Sequence, residues 1–335
     1  MSAMRDIGTW FQGKSVLITG GLGFIGSALT HRLAGCGARV TVMDSLDPRG
    51  GGNRFHISAL EPGTRVVLKD LRDSASTESL VSDQDVVFNL AARESHEDSM
   101  RDPAGDLEAN GSAQLALLEA CRRRNPGVRL IFTSTRQVYG RPLSIPVSES
   151  HPLNPVDING IHKCCAEAYH TLYGRVHGLR FSILRLTNTY GPRMFLRDAH
   201  LSFLGWFIRL AMEGREIPVY GDGRQVRDLT YVDDAIDALM LAAVSDRATG
   251  QVYNVGGSEA LSLLALVEVL CRVAGTTSKC QLVPFPRERQ DIDIGSYAAD
   301  CRKITDVLGW RPTVSLDEGL RRTLEYAKTH WEHYV

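Results

Sequence analysis

Along the first half of the chain, short runs of apolar and β-branched residues alternate with longer amphipathic stretches. The runs SVLIT (15–19), RVTVMD (39–44), RVVLKD (65–70), DVVFNLA (85–91), VRLIFTS (128–134) and FSILRLT (181–187) carry few polar interruptions. Strands buried on both faces have this composition. Between them, FIGSALTHRLAGCG (24–37), DLEANGSAQLALLEACRRR (106–124) and the stretch over 159–176 repeat apolar positions at helical spacing. Such alternation predicts an α/β fold, a doubly wound parallel sheet with helices on both faces.

After about residue 187 the pattern changes. Loops rich in Gly, Pro and Arg, such as NTYGPRMFLRD, YGDGRQVRD and FPRERQDIDIG, separate shorter elements. They predict a smaller C-terminal substrate-binding lobe over the mouth of the sheet. The expected division is a sheet domain over 1–186, rejoined by 228–255, and a lobe built from 187–227 and 256–335. In YVDDAIDALMLAAV, Asp233 and Asp234 are placed to cap the helix that follows.

The chain has 335 residues, 43% of them hydrophobic, enough for a large core. Its formal net charge of −1 gives no electrostatic reason to expect nucleic acid or a membrane surface as partner. Seven scattered cysteines offer no zinc spacing and read as small apolar residues in a reducing compartment. No run of eighteen apolar residues occurs and the N-terminus lacks a signal-peptide pattern, so a soluble, cytoplasmic protein is expected.

Candidate chemistry begins at VLITGGLGFIGSAL, where Gly20, Gly21, Gly23 and Gly26 lie between the first strand and the first helix. Glycine there allows a tight turn and brings backbone N–H groups and a helix N-terminus to a pyrophosphate. Asp44 ends the second strand, where a ribose 2′-hydroxyl needs an acceptor and a 2′-phosphate would be repelled. NAD is therefore expected rather than NADP. Asp70, ending the third strand, is placed to reach the adenine.

Further motifs follow in order: NLAA (89–92), TSTRQVYG (133–140), Lys163, LRLTNTYGPR (184–193), YGDGRQVRDLTYVDD (220–234) and LGWRP (308–312). With the glycine turn they make the chain resemble the extended short-chain dehydrogenase/reductases, specifically the NAD-dependent nucleotide-sugar epimerases and dehydratases, over nearly its whole length. The resemblance implies a Rossmann fold and cofactor contacts at Gly20, Gly23, Phe24, Ile25, Gly26, Asp44, Asp70, Leu71, Ala91 and Lys163. It implies a catalytic Ser or Thr, matched by Thr135, and a Tyr four residues before a Lys, matched at the lysine by Lys163.

At the tyrosine position stands Asn159. An amide does not ionise near neutral pH, so it can orient a hydroxyl but cannot take its proton. Four groups could supply the base. His162 lies on the same helical face, with an ordinary pKa suited to proton transfer. Glu94 and His96 follow the fourth strand, at the carboxyl ends where ligands of such sheets bind. Lys163 itself could act if its pKa were depressed.

Dehydratases of the 4,6 type carry an Asp-Glu pair directly after the catalytic Thr. Here Arg136 and Gln137 occupy those places, which disfavours ordinary 4,6-dehydration and offers Arg136 to a substrate carboxylate or phosphate. The resemblance further implies that Asn188 and Arg227 hold a sugar diphosphate, with Arg289 as the second arginine and Arg287 its competitor. Tyr190, Phe203 and Trp206 could stack on a base or pack in the core. Apolar stripes on the helices over 106–124 and 159–176 point, with the family, to a homodimer.

Three functions remain open from sequence. The first is an NAD-dependent epimerase of a nucleotide-activated sugar working through a transient keto intermediate. The second is a dehydratase or oxidoreductase on an unusual sugar or nucleoside. The third is a catalytically silent protein that binds NAD or a nucleotide sugar.

Overall fold

The computed structural model describes residues 2–60 and 63–335. Six strands of the first half form as the apolar runs predict: β1 (Ser15–Thr19), β2 (Arg39–Asp44), β3 (Arg65–Leu68), β4 (Val86–Asn89), β5 (Arg129–Thr135) and β6 (Arg180–Leu186). The later strands are β7 (Asn188–Tyr190), β8 (Ile217–Tyr220), β9 (Val226–Tyr231), β10 (Gln251–Val255), β11 (Ala260–Ser262) and β12 (Cys280–Val283).

One sheet of seven strands runs in the order β10-β6-β5-β4-β1-β2-β3, with every neighbouring pair parallel. Because β1 pairs with both β2 and β4, the order reverses beside it. In doubly wound sheets ligands bind outside the carboxyl ends of the strands at that reversal. Alternate residues of each strand feed opposite layers of core. Val16, Ile18, Phe88 and Ile131 pack against the helices Phe24–Gly35 and Val232–Val244. Leu17, Val87, Leu130 and Phe132 pack on the other side with Leu117, Leu118, Ala166 and Tyr173. The period of two in strand geometry explains how continuous apolar runs serve both layers.

The lobe over this edge contains two small sheets. One has the order β11-β9-β7, and the other pairs β12 with β8. The chain therefore leaves the large sheet after β6, builds part of the lobe, and returns through Val232–Val244 and β10.

Two elements differ from the sequence reading. The helix expected over 106–124 is interrupted: Pro103–Leu107 gives way to a π-turn at Glu108–Ser112 before Ala113–Arg124 resumes. Asn110 supplies a reason. It is fully buried and spends its amide on Asp106 and on the backbone of Arg93, so local contacts hold the widened turn. Asp233 and Asp234 do not cap the helix Val232–Val244, whose N-cap is Tyr231 with no side-chain bond. Asp234 instead accepts bonds from Thr313 N (2.9 Å), Thr313 Oγ1 (2.8 Å) and Val314 N (3.1 Å), tying down a distant loop. Asp233 faces Arg32 and Arg322. Both stand in the helix's first turn, past the N-cap position, and their carboxylates are turned to these other partners.

Candidate active site

The turn after β1 is shaped by the absence of side chains. Gly20 sits at φ +70°, and a Cβ there would lie 2.9 Å from the Ala91 nitrogen. A Cβ on Gly26 would overlap the Gly20 carbonyl oxygen. Leu22 is pinned at both ends of its backbone: its N–H donates to Asp44 Oδ2 (2.9 Å), and its carbonyl accepts from His56 Nδ1 (2.8 Å). Gly23 then caps the helix Phe24–Gly35 without any side-chain bond, leaving the helix's positive end uncovered. Gly20, Gly23, Phe24, Ile25 and Gly26 line a cleft of about 480 Å³.

A second cavity of about 140 Å³ adjoins the first, walled by Asp44, Asp70, Leu71 and Ala91. Asp44 Oδ1 also accepts from Leu46 N (2.8 Å), so its carboxylate is fixed at the cavity wall. Burial raises its pKa against the pull of those two N–H groups. Asp70 is gripped by Arg72, which donates Nε to Oδ1 (2.9 Å) and Nη2 to Oδ2 (2.8 Å). A glycine cradle at a bare helix end, beside an anchored carboxylate, fits a dinucleotide with its pyrophosphate on the turn and a ribose at Asp44.

The candidate catalytic residues Thr135, Asn159 and Lys163 line the large cleft. The lysine comes from the helix Ile158–His177, capped by Asp157, whose Oδ1 accepts from Gly160 N (2.6 Å). Lys163 is buried, donates to the Thr133 carbonyl (3.0 Å) and lies over the Phe132 ring. Loss of water lowers its pKa to about 8, although Glu94, Asp106 and Glu167 favour the charge. Thr135, at the end of β5, lines the large cleft and accepts from Gln137 N (3.3 Å).

Asn159 is buried on the same wall. Its Nδ2 donates to the Arg93 carbonyl (2.8 Å) and to Asp106 Oδ2 (3.3 Å). His162 turns away to Asp106 Oδ1 (2.7 Å) and lines neither cavity. His96 stands 3.0 Å from Asp157 Oδ2, without the alignment of a hydrogen bond. Glu94 lines both cavities. The residue remains exposed within these cavity walls. Desolvation there raises its carboxyl pKa, opposed by Lys163 and helped by Asp44.

The lobe side is strongly basic. Arg227 is buried and donates to Gln225 Oε1 (2.8 Å) and the Val226 carbonyl (2.9 Å), with Asp293 at 3.5 Å. Burial, and then the neighbouring Arg136, lowers its pKa to about 9. Arg136 lies 5.7 Å from the Tyr297 ring centroid, and its buried Nη1 has no partner. Asn188 Oδ1 is likewise buried without a partner. Arg289 lies over the Tyr220 ring and pairs with Glu97. All four line the large cleft. The buried Arg227 and the half-buried Arg136 are suited to an anionic ligand, whose oxygens would accept from Arg136 Nη1, while Asn188 Oδ1 would accept from a hydroxyl.

Residues 16–256 match the family described as NAD dependent epimerase/dehydratase. The chain belongs to that family. A UDP-glucose 4-epimerase of Mycolicibacterium smegmatis is 32% identical over 315 residues, covering 92% of this chain and 97% of its own. A dTDP-glucose 4,6-dehydratase of an Actinoplanes species is 32% identical over 323 residues, covering 94% of this chain and 98% of its own. Among solved structures, the epimerase of Methanothermobacter thermautotrophicus superposes with a TM-score of 0.91 at 26% identity, covering 99% of this chain and 97% of its own.

The protein is thus an NAD-dependent enzyme of the epimerase/dehydratase family. Its structure brings together Thr135, Asn159, Lys163 and Glu94 with the glycine turn, and Asn188, Arg136, Arg227 and Arg289 across from them. It takes His162 out of the cleft, and Arg287 does not line it. Phe203 and Trp206 reach the cleft wall, whereas Tyr190 is buried in the core against Tyr231. Sequence reasoning passed over Arg93, Asp106 and Asn110, which hold the wall behind Glu94. The signal was present: Asp106 and Asn110, four residues apart, put two polar groups on the inward face of a helix.

Proposed function

We propose that this enzyme epimerises a nucleotide-activated sugar through a transient keto intermediate, with a proton acceptor other than tyrosine. The observation that carries the reading is Lys163, buried in the one cleft that Thr135, the glycine turn and the basic residues Arg136, Arg227 and Arg289 also line. Burial lowers the Lys163 pKa only to about 8, so near neutral pH the group is still mainly an ammonium, available to the cofactor ribose and to the electrostatics of proton removal. When bound, NAD supplies the acceptor and donor of hydride at the sugar carbon. Thr135 orients the sugar hydroxyl, and Arg227, Arg289 and Asn188 hold the diphosphate. Arg136 and Gln137 provide no carboxyl acid or base, which favours epimerisation over ordinary 4,6-dehydration. The unpartnered Arg136 guanidinium favours a sugar bearing a carboxylate or a further phosphate.

The test is incubation with NAD+ and UDP-, GDP-, dTDP- and CDP-sugars, neutral and acidic, in D2O, read by NMR and mass. A stereoisomer without deuterium at carbon, formed fastest from an acidic sugar, is expected. Loss of water or carbon-bound deuterium would replace epimerisation by dehydration or enolisation. No turnover with NAD bound, on sugars and nucleosides alike, would leave a silent binding protein.

The functional unit proposed is a homodimer. Ile161, Leu172 and Val176 are exposed along one stripe of the helix Ile158–His177, and Leu107 is exposed beside its neighbour. Such a stripe is costly to leave in water.

A further inference from the structure

The residue that replaces the tyrosine is bonded to the peptide that carries Glu94. Asn159 Nδ2 donates to the Arg93 carbonyl (2.8 Å), and Asn110 Nδ2 donates to the same oxygen (3.0 Å). Asn110 Oδ1 in turn accepts from Arg93 N (3.1 Å). The Arg93 guanidinium is held by Asp102 (2.8 Å). On the far side of Glu94, Ser95 is buried and caps the helix His96–Arg101 through Asp98 N (3.2 Å). The backbone is therefore fixed before and after Glu94, and the side chain between is left free to enter the cleft. Among the described residues its carboxylate takes no hydrogen bond and no ion pair. A tyrosine at 159 could not donate this amide bond.

We infer that Glu94 takes the place of the missing tyrosine as proton acceptor for the sugar hydroxyl, and that Asn159 is the positioning residue that holds it there. This rests on the epimerase reading above. The O–H bond of the sugar breaks, its proton moves to a Glu94 carboxylate oxygen, and the O–H electron pair becomes the second bond of the carbonyl. The hydrogen and electron pair leaving carbon are the share that NAD takes. On return, the carbonyl oxygen recovers the proton from Glu94, so the carboxylate is regenerated each cycle.

The competitors are occupied elsewhere. His162 is bonded to Asp106, His96 faces Asp157, and the Lys163 ammonium donates to Thr133 O. Of the other carboxylates on the large cleft, Glu97 pairs with Arg289 and Asp293 faces Arg227. A general base works best when its pKa approaches the working pH, and partial desolvation by the cleft walls moves Glu94 in that direction. The charged and titratable groups acting on it are Lys163 from the long helix, Asp44 from the end of β2, and His96 from its own segment.

The experiment uses the NAD-loaded protein with 13C-labelled glutamate, the Glu94 signal being identified with Glu94→Gln. Native Glu94 is expected to titrate above the ordinary value of about 4.3, and in Asn159→Leu to move back toward it. The acid limb of kcat is expected to move by the same amount, with bound NAD unchanged. Asn159→Gln, which keeps an amide, recovers part of both shifts. Asn110→Ser, which removes the other donor to the same carbonyl, gives a weaker shift in the same direction should Asn159→Leu not fold. Glu94→Gln is expected to lower kcat about 10²–10⁴-fold while sugar and NAD still bind.

Loss of less than about tenfold in Glu94→Gln would overturn the assignment of the base. An ordinary Glu94 titration in the native protein, or one indifferent to Asn159, would overturn the positioning role whatever the protein turns over. A native protein that turns over nothing, yet shows the Asn159-dependent titration, overturns the epimerase function and keeps the positioning role. One that dehydrates its sugar with the same dependence on Glu94 overturns only the choice of reaction.

Discussion

His170 shows how far one side chain's setting can depart from its chemistry in water. It is fully buried on the inner face of the helix Ile158–His177, stacked on Phe132 at 4.5 Å. Its Nδ1 donates to the Ala166 carbonyl (2.8 Å) and its Nε2 has no partner. Burial, with the Lys163 charge as a lesser cause, lowers its pKa to about 4. The unfolded chain holds this imidazole near 6.5, so between the two values the unfolded state binds more protons and folding stability falls as pH falls. A shift of that size corresponds to about 3 kcal/mol once pH drops below the folded value. Replacing the ring with phenyl, His170→Phe, is expected to flatten the loss of stability between pH 6.5 and 4, read by urea unfolding at several pH values. His56, also lowered to about 4, contributes a similar slope and remains in the variant. Parallel native and variant curves would show that His170 binds its proton equally in the folded and unfolded states, and so that burial does not lower its pKa.

At the scale of elements, the active-site helix is fastened to the sheet by a buried ionic chain. Glu167, on the helix, accepts from Ser134 Oγ (2.5 Å) at the end of β5. It also takes a fork from Arg185 of β6, Nη2 to Oε2 at 2.6 Å and Nε to Oε1 at 3.0 Å. Arg185 continues to the Tyr139 hydroxyl (2.8 Å), which donates to Asn254 Oδ1 (2.6 Å) on β10. Three strands and the helix that carries Lys163 thus share one network. Breaking such a pair by deleting one partner leaves the other charge buried. Glu167→Ala is expected to cost about 3–5 kcal/mol, measured by denaturant unfolding, while Glu167→Gln, which keeps an acceptor, costs less. Equal, small losses for both would mean that water replaces the missing carboxylate.

At the scale of the molecule, the proposed homodimer would place the helices Ala113–Arg124 and Ile158–His177 against their copies. The exposed stripe on the second helix continues from residues that line the site on its inner face, so pairing would stiffen Asn159 and Lys163 from behind. The double change Leu172→Glu and Val176→Glu puts like charges face to face across the proposed interface. Sedimentation velocity is expected to give a dimer for the native chain and a monomer for this variant, with the fold retained by circular dichroism. A native monomer at micromolar concentration would remove the proposal.

Local pattern was sufficient wherever the physical constraint is local. Apolar β-branched runs could be buried only as central strands, and Gly20 and Gly26 could be explained only by a turn with no room for Cβ. Asp44, Thr135 and Lys163 stand at fixed distances from those elements, so their convergence at the carboxyl ends of the sheet followed. The sequence by itself thus determined the doubly wound sheet, the family and the dinucleotide turn. It did not decide among His162, His96, Glu94 and Lys163 as base, because that choice depends on contacts between distant residues. The bond from Asn159 to Arg93 O spans 66 positions, and that from His162 to Asp106 spans 56. Helical spacing places His162 beside Lys163, but only the packing of the helix Pro103–Leu107 supplies Asp106, the carboxylate that turns it away. The same packing sets the Arg93 peptide under the Asn159 amide and leaves Glu94 facing the cleft. Periodicity fixes the face on which a residue stands; the neighbour it meets there is a property of the folded chain.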